Sequence, residues 1–299
     1  MTIQEVRIPI VLITFNRPHC VEKQLEQLRK MGINKLFFVS DGPRINVEGE
    51  RALVEKTRAL IDTIDWECEV IKIFATENMG VDARVISALN LVFGQAEQAI
   101  ILEDDCLPCS SFFKYCDELL ERYQDEEKIM YISGSKWIHD YPMKYSYGFS
   151  YNTGTWGWAT WKRAWNSWHW DIEEWKKNKN NWMKGIFSSR YCYNWAKDLD
   201  QHLKNGNLPW DYAFISGVGK RLGIFPAVNM VTHIGFGEDA THAKEEIYGY
   251  DGTTTEMGSI VHPEKIEEDL DYPKAVEKQF KVPYWYRVKR KLIKILKRG

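Results

Sequence analysis

The sequence predicts an α/β fold, a mostly parallel sheet covered by helices, with a second half fused to it. Three observations carry this. Short apolar runs at 8–15, 35–40, 69–74 and 99–102 each stop at polar residues, as strands buried on both faces of a parallel sheet do. The stretches between them carry apolar residues at helical spacing, and strands alternating with helices specify a parallel sheet. Beyond Gly134 the composition changes, and ten of the 13 tryptophans fall between Trp156 and Trp210.

In chain order, Ile8-Pro9-Ile10-Val11-Leu12-Ile13-Thr14-Phe15 is a strand that breaks at Asn16-Arg17-Pro18. Val21, Leu25 and Leu28 then mark one helix face. Lys35–Ser40 is the next strand, stopped by Asp41-Gly42-Pro43, and together these form a right-handed βαβ unit. Arg17 and Asp41 therefore end neighbouring strands at one edge of the sheet. A helix over Glu50–Ile64, a strand over Glu69–Phe74, the turn Thr76-Glu77-Asn78-Met79-Gly80 and a helix over Asp82–Phe93 follow. Ser110–Tyr123 reads as a helix and Lys128–Ser133 as a strand.

The stretch Ala99-Ile100-Ile101-Leu102-Glu103-Asp104-Asp105 organises the chain: a buried strand that ends in three carboxylates. Ligands of open α/β sheets bind outside the carboxyl ends of the strands. Three adjacent acids repel one another, and a hard divalent cation offsets that while gripping a phosphate. The alternative is a strand end whose acids only face water or cap a helix begun by Ser110-Ser111. No glycine pattern matches GxGxxG or a P-loop.

In the second half, Trp156 and Trp158 lie on a glycine-rich turn, where core packing and a platform under a sugar ring both fit. Trp161, Trp165 and Trp168 fall at i, i+4 and i+7 and read as one helix face in the core. Asp211 follows Trp210 at the start of an apparent helix through Leu222. Ile224–Thr232 reads as a strand, and Gly235 and Gly237 read as hinges of a loop able to close over a ligand. From Tyr250 to Tyr272 no periodicity stands out. In the tail, Trp285, Val288, Leu292, Ile295 and Leu296 share one face and Arg and Lys fill the rest, a pattern suited to an anionic membrane surface or to a solvated helix.

Composition bounds the function. A net charge of -2 over 299 residues gives no reason to expect nucleic acid as a partner. No run approaches the roughly 18 apolar residues needed to span a bilayer, and the N-terminus lacks a signal-peptide pattern. Six cysteines without framework spacing suit free thiols in a reducing, cytoplasmic setting. Cys106-Leu107-Pro108-Cys109 lacks the second pair that a structural zinc site needs and reads as a strand-to-helix turn.

With these motifs placed, the chain resembles the GT-A glycosyltransferases, most of all the N-acetylglucosaminyltransferase I type and its bacterial relatives. The resemblance runs from about Ile8 to His242. It rests on the first strand through Asn16-Arg17, Val39-Ser40-Asp41, Glu103-Asp104-Asp105 with Pro108 and Phe112-Phe113, Gly157-Trp158, and Trp210-Asp211, in that order. The resemblance implies a Rossmann-like GT-A fold with a nucleotide-sugar-binding half at 1–133, an acceptor-binding half at 134–262 and a tail at 263–299. It implies that Arg17 and Asp41 contact the nucleotide's base and ribose, that Asp105 holds Mn²⁺ or Mg²⁺, and that Glu103 and Asp104 line the donor site, Asp104 toward ribose or a metal-bound water. It also implies that Thr241-His242 belong to a loop over the diphosphate and that Asp211 is the catalytic base. Trp156 and Trp158 are the acceptor-binding candidates. The activity implied is inverting transfer from a nucleotide-diphosphate sugar, a UDP-sugar by preference, to a glycan hydroxyl in bacterial surface polysaccharide synthesis. The acceptor would be lipid-linked and met at the inner face of the cytoplasmic membrane through the basic tail. A sugar-phosphate nucleotidyltransferase is the first rival, although Phe15-Asn16-Arg17-Pro18 stands where such enzymes carry a glycine-rich loop. A non-catalytic carbohydrate-binding protein is the second.

Overall fold

The computed structural model describes residues 6–151, 153–167, 176–177, 197, 199–205, 209–211, 214, 222–235 and 252–279. Thr241, His242, Trp168, Gly237 and the basic tail lie outside the described residues.

The fold is mixed α/β. Strands β1 (Ile10–Thr14), β2 (Lys35–Ser40), β3 (Glu69–Phe74) and β4 (Gln98–Glu103) form a parallel half-sheet in the order β3-β2-β1-β4. β1 is buried at all five positions, whereas β3, at the sheet edge, has only exposed and half-buried residues. Between them run α1 (Pro18–Lys30), α2 (Glu50–Ala59), which tightens into a 3₁₀ turn over Leu60–Thr63, and α3 (Val81–Phe93). The apolar residues expected to face inward on α1, Val21, Leu25 and Leu28, are buried there.

β5 (Cys106–Pro108), α4 (Ser110–Arg122) and β6 (Ile129–Ser133) continue the chain, followed by β7 (Tyr147–Ser150), β8 (Trp158–Trp161), α5 (Lys162–Ser167), β9 (Leu222–Pro226) and β10 (Val231–His233). The large sheet reads β3-β2-β1-β4-β8-β6-β9-β7, with β8 antiparallel between β4 and β6. The two halves of the sequence thus share one eight-stranded sheet. β10 returns to pair with β5, His233 opposite Cys106.

Three expectations are corrected. Trp161 ends a strand rather than opening a helix face, because 158–161 inserts antiparallel beside β4. Cys106–Pro108 is a strand rather than a turn, since β10 supplies a hydrogen-bonding partner. Ile224–Thr232 is two strands, broken at residues 227–230. As expected, 252–271 carries no helix and no named strand, and it leads into α6 (Tyr272–Gln279), whose Tyr272 stacks on Phe225 at 3.8 Å. The five described cysteines are free thiols. Among the described residues no helix is long and apolar enough to cross a membrane.

Candidate active site

The carboxyl ends of β1, β2 and β4 meet at one rim, as the parallel register Thr14 to Ser40 and Ile13 to Glu103 requires. Pro18 opens α1, and its ring keeps Arg17 out of the helical region, at φ −116° and ψ 71°. The Arg17 side chain reaches the acidic turn. Its guanidinium forms ion pairs with Asp104 and with Asp105, the latter at 2.8 Å. Phe15 N–H adds a hydrogen bond to Asp104 Oδ2 at 3.3 Å.

β10 brings in a residue that sequence reading passed over as the start of a loop. His233 Nε2 lies 3.2 Å from Asp105 Oδ2, the oxygen that Arg17 also holds. Gly235 N–H donates to His233 Nδ1 at 3.3 Å, so the neutral imidazole carries its proton on Nε2 and donates it to Asp105. Ile234 N–H donates to the Asp105 carbonyl at 2.7 Å. A Cβ built on Gly235 would stand 2.5 Å from both Asp105 Cβ and Arg17 Nη1. Gly235 is therefore a close-packed cover on the ion-pair cluster, and glycine is required there by contact. Gln24, fully buried on α1, clamps the acidic turn by donating from Nε2 to the carbonyls of Glu103 and Cys106 at 3.1 and 2.7 Å. A lone buried glutamine gives no motif, so its role was not legible.

The three acids differ electrostatically. Burial works against the charge on Asp105, but the His233 hydrogen bond and Arg17 outweigh it and hold this carboxyl well below the usual range. Burial pushes Asp104 up against the pull of Arg17. Glu103 is pushed up to about 8, by burial first and then by the charges of Asp105, Asp104 and Asp211. Asp211 is thus close enough to act electrostatically on the end of β4. Residues 210, 211 and 214 are helical, and Asp82 in the first turn of α3 accepts from Trp210 N–H at 2.9 Å. Trp210 stacks on Trp158.

Asp41 has a different position from the one expected. It is 5% exposed and accepts from Gly42 N–H, Asn78 Nδ2, Met79 N–H and Gly80 N–H at 2.8–3.2 Å. A carboxylate has about four lone-pair sites, so Asp41 is saturated by the turn ahead of α3. The expected contact to ribose is corrected to anchorage of the Asn78–Gly80 turn, whose Gly80 adopts φ 77°. Trp158 is likewise corrected. It is 1% exposed, packed against Trp210, Phe214 and Tyr131, and serves as core. Trp156 is half-buried at the rim, stacked on Trp137 with centroids 5.5 Å apart and tilted against His233 at 4.9 Å.

Among the described residues no three His, Cys, Asp or Glu side chains form a ready-made metal cage. Arg17 and His233 already engage the carboxylates whose repulsion a divalent cation was expected to offset. The donor chemistry still fits a hard cation through Asp105: Mg²⁺-type ions in phosphate sites take one or two protein carboxylates and leave the rest to phosphate and water.

No family model matches the chain, and no curated protein matches it. Among solved structures it is similar to a cytidylyltransferase from Leptospira borgpetersenii serovar Hardjo-bovis, at 10% identity and TM-score 0.33, over 54% of this chain and 63% of that one. A mannosyltransferase from Pyrobaculum calidifontis, in complex with GDP-Man and Mn²⁺, is similar at 17% identity and TM-score 0.28, over 42% of this chain and 35% of that one. Mouse xyloside xylosyltransferase 1, apo form, is similar at 13% identity and TM-score 0.33, over 71% and 82%. The chain spans less than two thirds of the length of the first two.

Proposed function

We propose that the protein is a glycosyltransferase that moves a sugar from a nucleotide-diphosphate sugar, a UDP-sugar by preference, to a glycan hydroxyl with inversion. The observation that supports this best is the meeting of two kinds of acid at one rim: the ion-paired Asp104–Asp105 cluster at the end of β4, and the separate Asp211 near enough to raise Glu103. One acid group suits a diphosphate site, and a second carboxylate beside it suits a general base.

In this reading Asp105 would hold Mn²⁺ or Mg²⁺, which supplies neutralisation of the diphosphate leaving group, and His233 holds Asp105 in place through its Nε2. Asp211 takes the proton of the acceptor hydroxyl onto a carboxylate oxygen as that hydroxyl attacks the anomeric carbon. Arg17, expected from the sequence at the base and ribose, is assigned in this reading to the nucleotide diphosphate instead, because its guanidinium is paired with Asp104 and Asp105. Asp41, through Asn78 and the backbone of Met79 and Gly80, holds the wall of the donor cleft. Trp156 is the acceptor contact, Thr241 and His242 close over the diphosphate, and the basic tail at 285–298 holds the enzyme at the inner face of a cytoplasmic membrane near a lipid-linked acceptor.

Turnover tests it. Incubating nucleotide-sugars with Mn²⁺ and glycan acceptors should release nucleoside diphosphate. Pyrophosphate release from a sugar phosphate and a nucleoside triphosphate would instead make the protein a nucleotidyltransferase, and sugar binding without turnover a carbohydrate-binding protein.

A further inference from the structure

Asp105 Oδ2 already spends both of its lone pairs, on Arg17 and on His233, so a divalent cation that takes this oxygen must displace one of them. Arg17 Nη1 is 2.8 Å from Asp105 Oδ2, the oxygen that faces His233 Nε2 at 3.2 Å. The other guanidinium nitrogen is held by Asp104, and Gly235 closes over the pair so tightly that a Cβ would fall 2.5 Å from Nη1 and 2.8 Å from Oδ2. The arginine is well placed to let go. Its backbone is fixed at the start of α1, where its carbonyl accepts from Cys20 and Val21 N–H, while its side chain is 14% exposed at the rim.

We propose that Arg17 is an exchangeable counter-cation, bound to Asp105 until a divalent ion takes that oxygen, whereupon the freed guanidinium is handed to the diphosphate that accompanies the ion. The inference rests on the metal-dependent transferase reading and adds an order to it: metal entry is linked to release of the residue that binds the donor. Competition of this kind lowers apparent metal affinity by the fraction of protein in which Arg17 is disengaged. If nine molecules in ten have Arg17 engaged, removing the side chain tightens metal binding about tenfold.

The test compares the full chain with Arg17→Gln and Arg17→Lys after EDTA treatment and dialysis. Mn²⁺ affinity and UDP affinity are measured by calorimetry, and melting temperature is followed with and without Mn²⁺. Exchange requires that Arg17→Gln bind Mn²⁺ about tenfold more tightly and UDP with Mn²⁺ about tenfold more weakly, and that Mn²⁺ raise its melting temperature more than that of the parent. A field effect of the charge alone would leave Arg17→Lys, which keeps that charge, at the parent's Mn²⁺ affinity, whereas competition for the oxygen would not. Arg17→Lys, which lacks the fork that spans both aspartates, should fall between. Equal Mn²⁺ affinities of the parent and Arg17→Gln, weaker Mn²⁺ binding in Arg17→Gln, or an Arg17→Lys that binds Mn²⁺ no more tightly than the parent would overturn the exchange and leave the transferase reading standing. Failure of every form to bind Mn²⁺ even with UDP would overturn both.

Discussion

Trp210 stacks on Trp158, ring centroids 5.4 Å apart and planes inclined by 23°. Trp158 is the residue that β8 places opposite Ile101 of β4, so this contact ties the segment bearing Asp211 to the strand bearing the acids. Replacing Trp210 with Ala removes a buried aromatic and should cost roughly 3–5 kcal/mol. Turnover should fall further than the loss of folded protein explains, because Asp211 loses its fixed neighbour. Urea denaturation beside assays on the folded fraction separates the two effects. Unchanged turnover per folded molecule would show that the stack does not position Asp211.

Asp211→Asn keeps the shape of the side chain and removes its basicity. Donor binding should stay near the parent value while turnover drops by roughly 10²-fold or more, the usual loss for a general base. Calorimetry with a nucleotide-sugar and a rate assay decide between roles. A loss of donor affinity with the rate preserved would make Asp211 a binding residue.

Much of the parallel half was legible because each buried strand is an unbroken apolar run and each ends in residues that stop it, such as Asn16-Arg17-Pro18 and Asp41-Gly42-Pro43. β7 and β8 were not, since their tyrosines and tryptophans suit core, turn or sugar platform equally, and only the antiparallel neighbours decide. At the site, the acids at the end of β4 stood out by their pattern. His233 did not, because its meeting with Asp105 depends on β10 folding back 128 residues later in the chain to pair with β5. For the same reason the carboxylate of Asp41 looked available: the four groups that saturate it, apart from Gly42, come from the turn after β3.

Glu103 should make stability depend on pH. Its carboxyl titrates near 8 in the folded protein against an ordinary value of 4.5. Below 4.5 both states hold the proton and nothing is lost. Between 4.5 and 8 the unfolded chain gives it up first, so stability falls as pH rises. Glu103→Gln removes this dependence. In EDTA the variant should gain on the parent by roughly 2 kcal/mol between pH 5 and pH 8, less than full linkage because water reaches a half-buried group. Parallel denaturation curves at pH 5, 6.5 and 8 measure it, and a constant difference between the two proteins would rule it out.

Gly235→Ala tests whether the cover over the ion pairs is built by contact. The new methyl would stand 2.5 Å from Asp105 Cβ, an atom fixed to the backbone of the acidic turn, and 2.5 Å from Arg17 Nη1. Arg17 can move aside, but Asp105 Cβ cannot without dragging the turn that Gln24 clamps. The segment at 234–235 must therefore lift, which stretches the Ile234 N–H bond to the Asp105 carbonyl and the Gly235 N–H bond to His233. Overpacking of this kind costs about 1–3 kcal/mol, and nucleoside diphosphate binding with Mn²⁺ should weaken about tenfold as His233 turns away from Asp105. Gly258→Ala is the control, since a Cβ there meets nothing within 4 Å and should leave stability unchanged or slightly raised. Equal behaviour of the two alanine variants in thermal melts and in UDP titrations would mean that the segment at Gly235 does not rest on Asp105 in solution.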